Sequence, residues 1–335
     1  MKETFFSLIL PVYNIKDYIR RSVDSILKQD FDDYEMILVD DGSTDGCAEI
    51  CDELETTDSR ISVIHKENGG LSSARNAGVN VATGKYIFFI DPDDWIEQGA
   101  LSLLHRCLCE FPCDVLKFNY ISRPDGEIWK SSIPVGQYDA NDISSFIVKE
   151  ALINTGQVNF SAWSHIYNLE FLNKNEIRFV SEREIASEDY LYNFQVYLTA
   201  QSMKVIDNAL YDYDFRDGSL SRRYRYEIFE QYEALNSKMV NFAKKKNKYS
   251  DLENELYDSY IGKTFYVVIK NECTVNNTHP RSEALRKIKG VLNHNKLRIA
   301  LANYKCNDCG FKKRLMLFLM KHKMAFAIYL WHIRS

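Results

Sequence analysis

The chain lacks the glycine-rich loops that cradle nucleotide phosphates. No G-x-G-x-x-G turn follows its first apolar segment, and there is no P-loop. That excludes a dinucleotide-binding fold, and any phosphate bound here must be neutralised by other means. There is no low-complexity tract. Nor is there a cationic excess: the net charge is −5, which argues against a general nucleic-acid binder with its basic footprint. The apolar run that begins at Phe5 meets no small-residue cleavage site, so the N-terminus does not read as an export signal. The expected location is the cytoplasm, free or at the inner membrane face, with the eight cysteines reduced. Cys306-Asn307-Asp308-Cys309 has zinc-knuckle spacing, but no second pair or His cluster accompanies it, so no metal is assigned there.

What the chain does contain is 45% hydrophobic and 13% aromatic residues, enough for a large core and for cleft walls that stack on rings. At 335 residues, one large domain with an appendage is expected. Residues 7–12, 36–39, 61–64 and 86–90 are short continuous apolar runs that read as buried strands. Tyr18, Ile19, Val23, Ile26 and Leu27 share one helical face, and residues 72–82 read as another helix. Alternation at this spacing means βαβ units and a parallel sheet, whose ligands bind beyond the carboxyl ends of its strands. Pro11-Val12-Tyr13-Asn14, Asp40-Asp41-Gly42-Ser43, Asn68-Gly69-Gly70 and Asp91-Pro92-Asp93-Asp94 all fall at such ends, and are expected on one rim. Further strands are expected at 114–121 and from Tyr211, a loop or hairpin at 123–136, and a helix at 141–153. From about Tyr226 the chain reads as helical. The domains are therefore placed at 1–225, in halves 1–110 and 111–225, and at 226–335.

The run Phe88-Phe89-Ile90 ends abruptly on three carboxylates, Asp91, Asp93 and Asp94. Either a divalent cation meets them, held as Mg²⁺ often is by one or two carboxylates and substrate phosphates, or they form an acidic cap on the next helix. With no glycine-rich loop, a metal on Asp91 and Asp93 is the available means of neutralising a nucleotide's phosphates. A second acidic station, Glu188-Asp189, opens a helix carrying Leu191, Phe194 and Leu198; an acidic first turn is the plainer reading of it. From Gly310 onward Lys312, Lys313, Arg314, Lys321, Lys323 and Arg334 stand without a single acid. The apolar runs of this tail are shorter than the ~20 residues that span a bilayer. A basic segment with Trp and Phe suits either the membrane interface or packing against the rest of the protein.

Taken together, Pro11-Val12-Tyr13-Asn14, the run from Val39 through Asp40-Asp41-Gly42-Ser43-Thr44-Asp45, the run Asn68 to Asn76 and Asp91-Pro92-Asp93-Asp94 resemble the family 2 glycosyltransferases of GT-A fold. The likeness covers roughly the first 110 residues. Trp163-Ser164-His165-Ile166-Tyr167 and Glu188-Asp189-Tyr190 are similar to acceptor-side motifs of the bacterial capsule and exopolysaccharide members. The resemblance implies a mixed α/β sheet flanked by helices, and an inverting transfer from a nucleotide-sugar, by family habit a UDP-sugar. The acceptor would be a growing surface polysaccharide or a lipid-linked saccharide, and the cofactor Mn²⁺ or Mg²⁺. Pro11 and Tyr13 would flank the nucleobase. Asp40 would accept from the base or hold the ribose, unless it only caps the next helix; Asp41 and Asp45 would shape that turn. Arg75 would approach the nucleotide or pair with a carboxylate. Asp91 would face the ribose and Asp93 the metal, with Asp94 structural. Asp189 would be the general base, with Glu188 as its alternate, and Trp163, His165 and Tyr167 would wall the acceptor site. Tyr211, Tyr213 and Arg216 would come near the donor phosphates. A nucleotidyltransferase and a non-catalytic nucleotide-sugar-binding protein are the alternative readings; the first normally carries the glycine-rich loop missing here.

Overall fold

The computed structural model describes residues 4–153, 155–215, 224–274, 279–306 and 309–334. The chain divides into two compact units, Met1–Arg183 with Ser187–Arg216, and Glu184–Ala186 with Asp217–Ser335. Glu184–Ala186 fall inside the expected first domain yet pack with the second unit.

The first unit is built around β1 (Phe6–Val12). All seven residues are buried, so both faces of the strand are covered. β2 (Tyr34–Asp40) and β4 (Tyr86–Phe89) flank it in parallel, and β3 (Ile61–His65) lies parallel beyond β2. The crossovers are helical: α1 (Ile19–Leu27), α2 (Cys47–Thr57) and α3 (Leu71–Val81). On α1 the residues Ile19, Val23 and Ile26, spaced i, i+4, i+7, enter the core. Wholly buried Leu8, Ile9 and Phe88 each contribute about 1.5–3 kcal/mol of hydrophobic stabilisation.

Past β4 the sheet is no longer parallel. β5 (Trp95–Ile96) and α4 (Ala100–Glu110) lead into β6 (Val115–Arg123), whose hairpin arm is β7 (Glu127–Trp129). β8 (Gly136–Asp139), β9 (His165–Asn168) and β10 (Ser202–Asp214) complete it. The order is β3-β2-β1-β4-β9-β6-β10-β5, with β7 on β6 and β8 on β10. β9 inserts antiparallel between β4 and β6, while β6 and β10 run parallel. The sheet is thus mixed, as the resemblance implies, and the βαβ rule holds only as far as β4. The expected helix near 141–153 forms with a π-helical stretch, Ile143–Ile147, inside it.

From β1 the chain moves out to β2 and β3, then returns to the other side of β1 as β4. That reversal is the switch point where such sheets open a crevice at their carboxyl edge. Register aligns Val12 with Asp40, and Asp40 with His65. The polar strand ends therefore share one rim.

The second unit is helical: Ile228–Lys245, Tyr249–Lys263, Arg281–Asn293, Asn295–Asn303, Phe311–Lys321 and Ala325–Arg334, with a π-helical continuation Thr264–Ile269. No helix among the described residues is long and apolar enough to cross a membrane. Cys306 and Cys309 have their Cα atoms 5.9 Å apart, within the reach of a disulfide; the other six cysteines are free thiols.

Gly84 lets β4 approach β1 closely: a Cβ there would lie 2.6 Å from the Phe6 carbonyl carbon and from the Ser7 nitrogen, both backbone. Gly84→Ala is expected to lower stability by about 1–3 kcal/mol, read as a lower urea midpoint. An unchanged midpoint would show that the two strand ends part freely.

Candidate active site at the carboxyl rim of the sheet

Where β1 ends, Pro11 is buried and Tyr13, one residue beyond the strand, is 50% exposed, leaving its ring face open at the rim. Beside it Asp40 closes β2. Its carboxylate accepts the Ser43 N–H at 3.0 Å and pairs with His65 Nδ1 at 2.9 Å. Burial would raise the Asp40 pKa, but the hydrogen bonds from Ser43 and His65 outweigh it and hold the group below its ordinary value. His65 also meets Asp52, and these two carboxylates raise its pKa against a smaller opposing effect of burial. Asp41 turns the other way: it accepts the Gly69 N–H at 3.0 Å and the Gly70 N–H at 2.7 Å, and so shapes the Asn68-Gly69-Gly70 turn. Asp45 accepts the Lys16 and Cys47 N–H groups, capping α2.

After β4, Asp91-Pro92-Asp93-Asp94 forms a turn closed by the Asp94 N–H on the Asp91 carbonyl. Asp94 is 1% exposed and structural. It accepts the Tyr211 hydroxyl at 2.8 Å and the Asp214 N–H at 2.8 Å, which bolts the loop to β10. Tyr211 Oη in turn accepts the Asp91 N–H at 3.0 Å. Arg21 donates to the Asp93 carbonyl and to Asp214, with its guanidinium 4.1 Å from the Trp95 ring centre. Trp163 is 5% exposed and stacks on Tyr211 at 4.5 Å and 10°, and on Tyr213 at 5.5 Å. Its ring faces are spent inside the protein, backing the acidic loop. The expected acceptor wall is corrected for its two other members: His165 and Tyr167 are 0% exposed because β9 lies between β4 and β6 with both faces covered. Arg216 lies outside the described residues.

Arg75, on α3, joins the two acidic stations. Its side chain is 1% exposed; Nη2 donates to Asp91 at 2.9 Å and Nη1 to Asp189 at 2.6 Å, with Glu188 at 3.6 Å. Burial opposes the guanidinium's charge, but Asp189, Asp91 and Glu188 outweigh it and hold the group protonated. Asp189 Oδ2 also accepts the Ala162 N–H at 3.1 Å. Burial, assisted by Asp91, raises the Asp189 pKa despite Arg75, and burial with Asp189 pushes Glu188 up to about 7. Glu182 spans the N-terminus of α3 by accepting the Leu71 and Ser72 N–H groups at 3.1 Å each. Gly70 suits the turn there: its φ of +92° is a backbone conformation that other residues rarely adopt, and a Cβ would displace the Glu182 carboxylate.

Among the described residues no group of three or more His, Cys, Asp or Glu side chains is arranged to hold a metal alone. A cation here would take one or two carboxylates, and the remaining oxygens would come from outside the protein. That is the Mg²⁺-like pattern; Asp91 and Asp93 stand two residues apart in the turn after β4, and Asp91 is ion-paired with Arg75. Sequence reasoning missed His65 and Glu182. His65 ends β3 in register with Asp40, so the strand-end argument reaches it; nothing in the sequence marks Glu182.

Removing Arg75 as Arg75→Met leaves Asp91, Glu188 and Asp189 facing one another, and should destabilise the protein by about 3–5 kcal/mol in thermal or urea unfolding. A loss under 1 kcal/mol would mean that the carboxylates are already neutral or solvated. The His65–Asp40 pair adds a pH dependence. His65's raised pKa makes its contribution whole below the ordinary 6.5 and lost as pH rises through the raised value. Asp40's lowered pKa makes its contribution whole above 3.8 and lost as pH falls through the lowered value. With His65 44% exposed, solvent screening limits the effect to about 0.2–1 kcal/mol. His65→Gln should accordingly lower Tm near pH 6 and have less effect near pH 9; equal shifts would remove the pair.

The chain is similar to known glycosyltransferases. The profile of Glycosyl transferase family 2 matches residues 7–160. GlyG of Streptococcus pneumoniae, a glycosyltransferase, is 34% identical over 64% of this chain and 72% of its own length. GlyA of the same species is 36% identical over 64% of this chain, a match that spans only 31% of that longer protein. EpsH of Bacillus subtilis, a putative glycosyltransferase, is 28% identical over 97% of this chain and 93% of its own. S. aureus TarS, residues 1–349, solved with UDP-GlcNAc, superposes with a TM-score of 0.72 at 20% identity, covering 99% of this chain and 91% of that one, and shares the fold. With a sheet of this order, acidic stations at its carboxyl rim and these relatives, the chain belongs to glycosyl transferase family 2.

Proposed function

We propose that the chain catalyses an inverting sugar transfer from a UDP-sugar to a hydroxyl of a growing surface polysaccharide or a lipid-linked saccharide. The observation that carries this reading is Arg75, which brings Asp91 and Asp189 to one guanidinium although 97 residues of chain lie between the two. A displacement at an anomeric carbon needs two acidic stations side by side, one at the departing diphosphate and one at the entering hydroxyl. TarS, which shares the fold, was solved with UDP and with UDP-GlcNAc, and this supports the donor class.

A sugar hydroxyl is a weak nucleophile, so its proton must pass to a base as the new bond forms. Asp189 takes that proton on its carboxylate. Its raised pKa makes it a stronger base than an ordinary aspartate, while Arg75 and the Ala162 N–H fix its orientation. The acceptor oxygen bonds to the anomeric carbon as the bond to the diphosphate oxygen breaks on the opposite face, which inverts the configuration. Tyr13 offers its open ring to the base beside Pro11, and Asp40 lies next to it at the end of β2. Asp93, with Asp91, would hold a divalent cation, Mn²⁺ or Mg²⁺, which as a Lewis acid supplies positive charge to the leaving diphosphate.

Asp189→Asn should cut transfer by roughly 10²–10⁴-fold while UDP binding in the presence of Mn²⁺ persists; Asp93→Asn should abolish the Mn²⁺ dependence of UDP binding. NMR of the product linkage is expected to show the anomer opposite to the donor's. Unchanged transfer by Asp189→Asn, or a retained anomeric configuration, would sink the mechanism. No thermal shift with any UDP-, GDP- or dTDP-sugar would sink the donor class.

A further inference from the structure

The helix Phe311–Lys321 is apolar on both sides. Its inner face, Met316, Leu317, Leu319 and Met320, is buried and already supplies the packing that the fold requires. On the other side Phe311, Leu315, Phe318 and His322 recur at i, i+4, i+7 and i+11, a single stripe. Phe311 is 78% and Phe318 52% exposed. Lys312, Arg314 and Lys321 stand exposed beside that stripe, while Lys313 is committed to Asp258. After the helix, Lys323, Met324 and Phe326 are exposed too, and the Arg281 guanidinium lies 4.9 Å from the Phe326 ring centre. From Gly310 to the end there are six cations and no acid, in a chain whose net charge is −5.

We infer that this face lies on an anionic bilayer surface, with the phenylalanines at the boundary of headgroups and acyl chains and the cations against lipid phosphates. Apolar residues in a row between cations are the composition of an interfacial helix. The two helices, of 11 and 10 residues, fall short of the ~20 that span a bilayer, so the segment lies on the surface. A second copy of the chain fits less well. A twofold interface pairs a patch with itself, which would set Arg314 and Lys321 against their own images, whereas phosphate headgroups neutralise them. The inference deepens the proposed reaction, because a lipid-linked acceptor presents its hydroxyl at such a surface, but binding is measured without the reaction.

The test is flotation of the full chain with vesicles of phosphatidylcholine alone or with one-third phosphatidylglycerol, at low and high salt. Binding to the anionic vesicles is expected, weakened by salt. Arg314→Gln and Lys321→Gln should each weaken partitioning by about fivefold, from about 1 kcal/mol per cation near the surface. The double variant Phe311→Ser, Phe318→Ser should weaken it by tenfold or more. These side chains are exposed, so circular dichroism and Tm are expected to stay as in the unsubstituted chain. Absence of flotation, equal binding to both vesicle types, or variants that float unchanged would each overturn the inference. So would a dimer in sedimentation that the phenylalanine variant disperses while vesicles are not bound. Failure of transfer with flotation intact would count against the proposed reaction alone.

Discussion

One buried guanidinium holds the site together. Arg75 carries a single positive charge among Asp91, Glu188 and Asp189, and the latter two are contributed by the opening turn of a helix far along the chain. Guanidinium is suited to this place because it stays charged under burial and offers planar, forked donors to more than one carboxylate. Three carboxylates against one cation leave the cluster under-neutralised. Burial, with the like charges of the cluster, pushes the Glu188 and Asp189 pKa values upward against the opposing charge of Arg75, so Arg75 fixes Asp189 in place while its surroundings make it more basic.

The acidic loop after β4 is held from behind. Asp94 spends both oxygens on β10, and Tyr211 reaches the Asp94 carboxylate and the Asp91 N–H with one hydroxyl. Trp163 stacks flat on Tyr211. An aromatic column therefore stands behind the carboxylates, and the three aspartates of the sequence motif take three tasks. Asp91 faces Arg75, Asp93 gives its carbonyl to Arg21, and Asp94 is buried in the fold.

Much of this was legible because strand ends are a strong signal. Apolar runs stopping on polar clusters locate β1 to β4 and put Tyr13, Asp40 and Asp91 on one rim, and Asp41 and Asp94 are structural, tied to the 68–70 turn and to β10. The sequence leaves Arg75 open between nucleotide and carboxylate, and in the structure it pairs with Asp91 and Asp189. Other parts were illegible for physical reasons. The Trp163-Ser164-His165-Ile166-Tyr167 run looks like an exposed aromatic wall in sequence, but as the insertion strand between β4 and β6 it has both faces covered. Glu182 sits in an irregular segment with no period to read, and its partner, the N-terminus of α3, is over a hundred residues away.

β9 contributes to the site from within the core. Asp189 is oriented by a backbone N–H at Ala162, so the loop bearing Ala162 must be rigid, and its rigidity comes from polar groups buried beneath it. Lys117 Nζ donates to the Asn159 carbonyl at 2.9 Å, Asn193 Nδ2 to the Phe160 carbonyl at 2.6 Å, and His165 Nδ1 to the Ser161 carbonyl at 2.9 Å. Burial, with Lys117 nearby, lowers the His165 pKa well below its ordinary value, so the ring is neutral. Donation from Nδ1 leaves Nε2 to accept the Tyr197 hydroxyl at 2.6 Å. Tyr167 completes the set by donating to Asn193 Oδ1 at 2.9 Å. A lysine, a histidine and a tyrosine with no exposed surface thus anchor three successive carbonyls of the loop, directly or through Asn193. Buried polar groups are expensive unless every partner is in place, and that expense is what makes the loop adopt one geometry. Through Ala162 it fixes where Asp189 points.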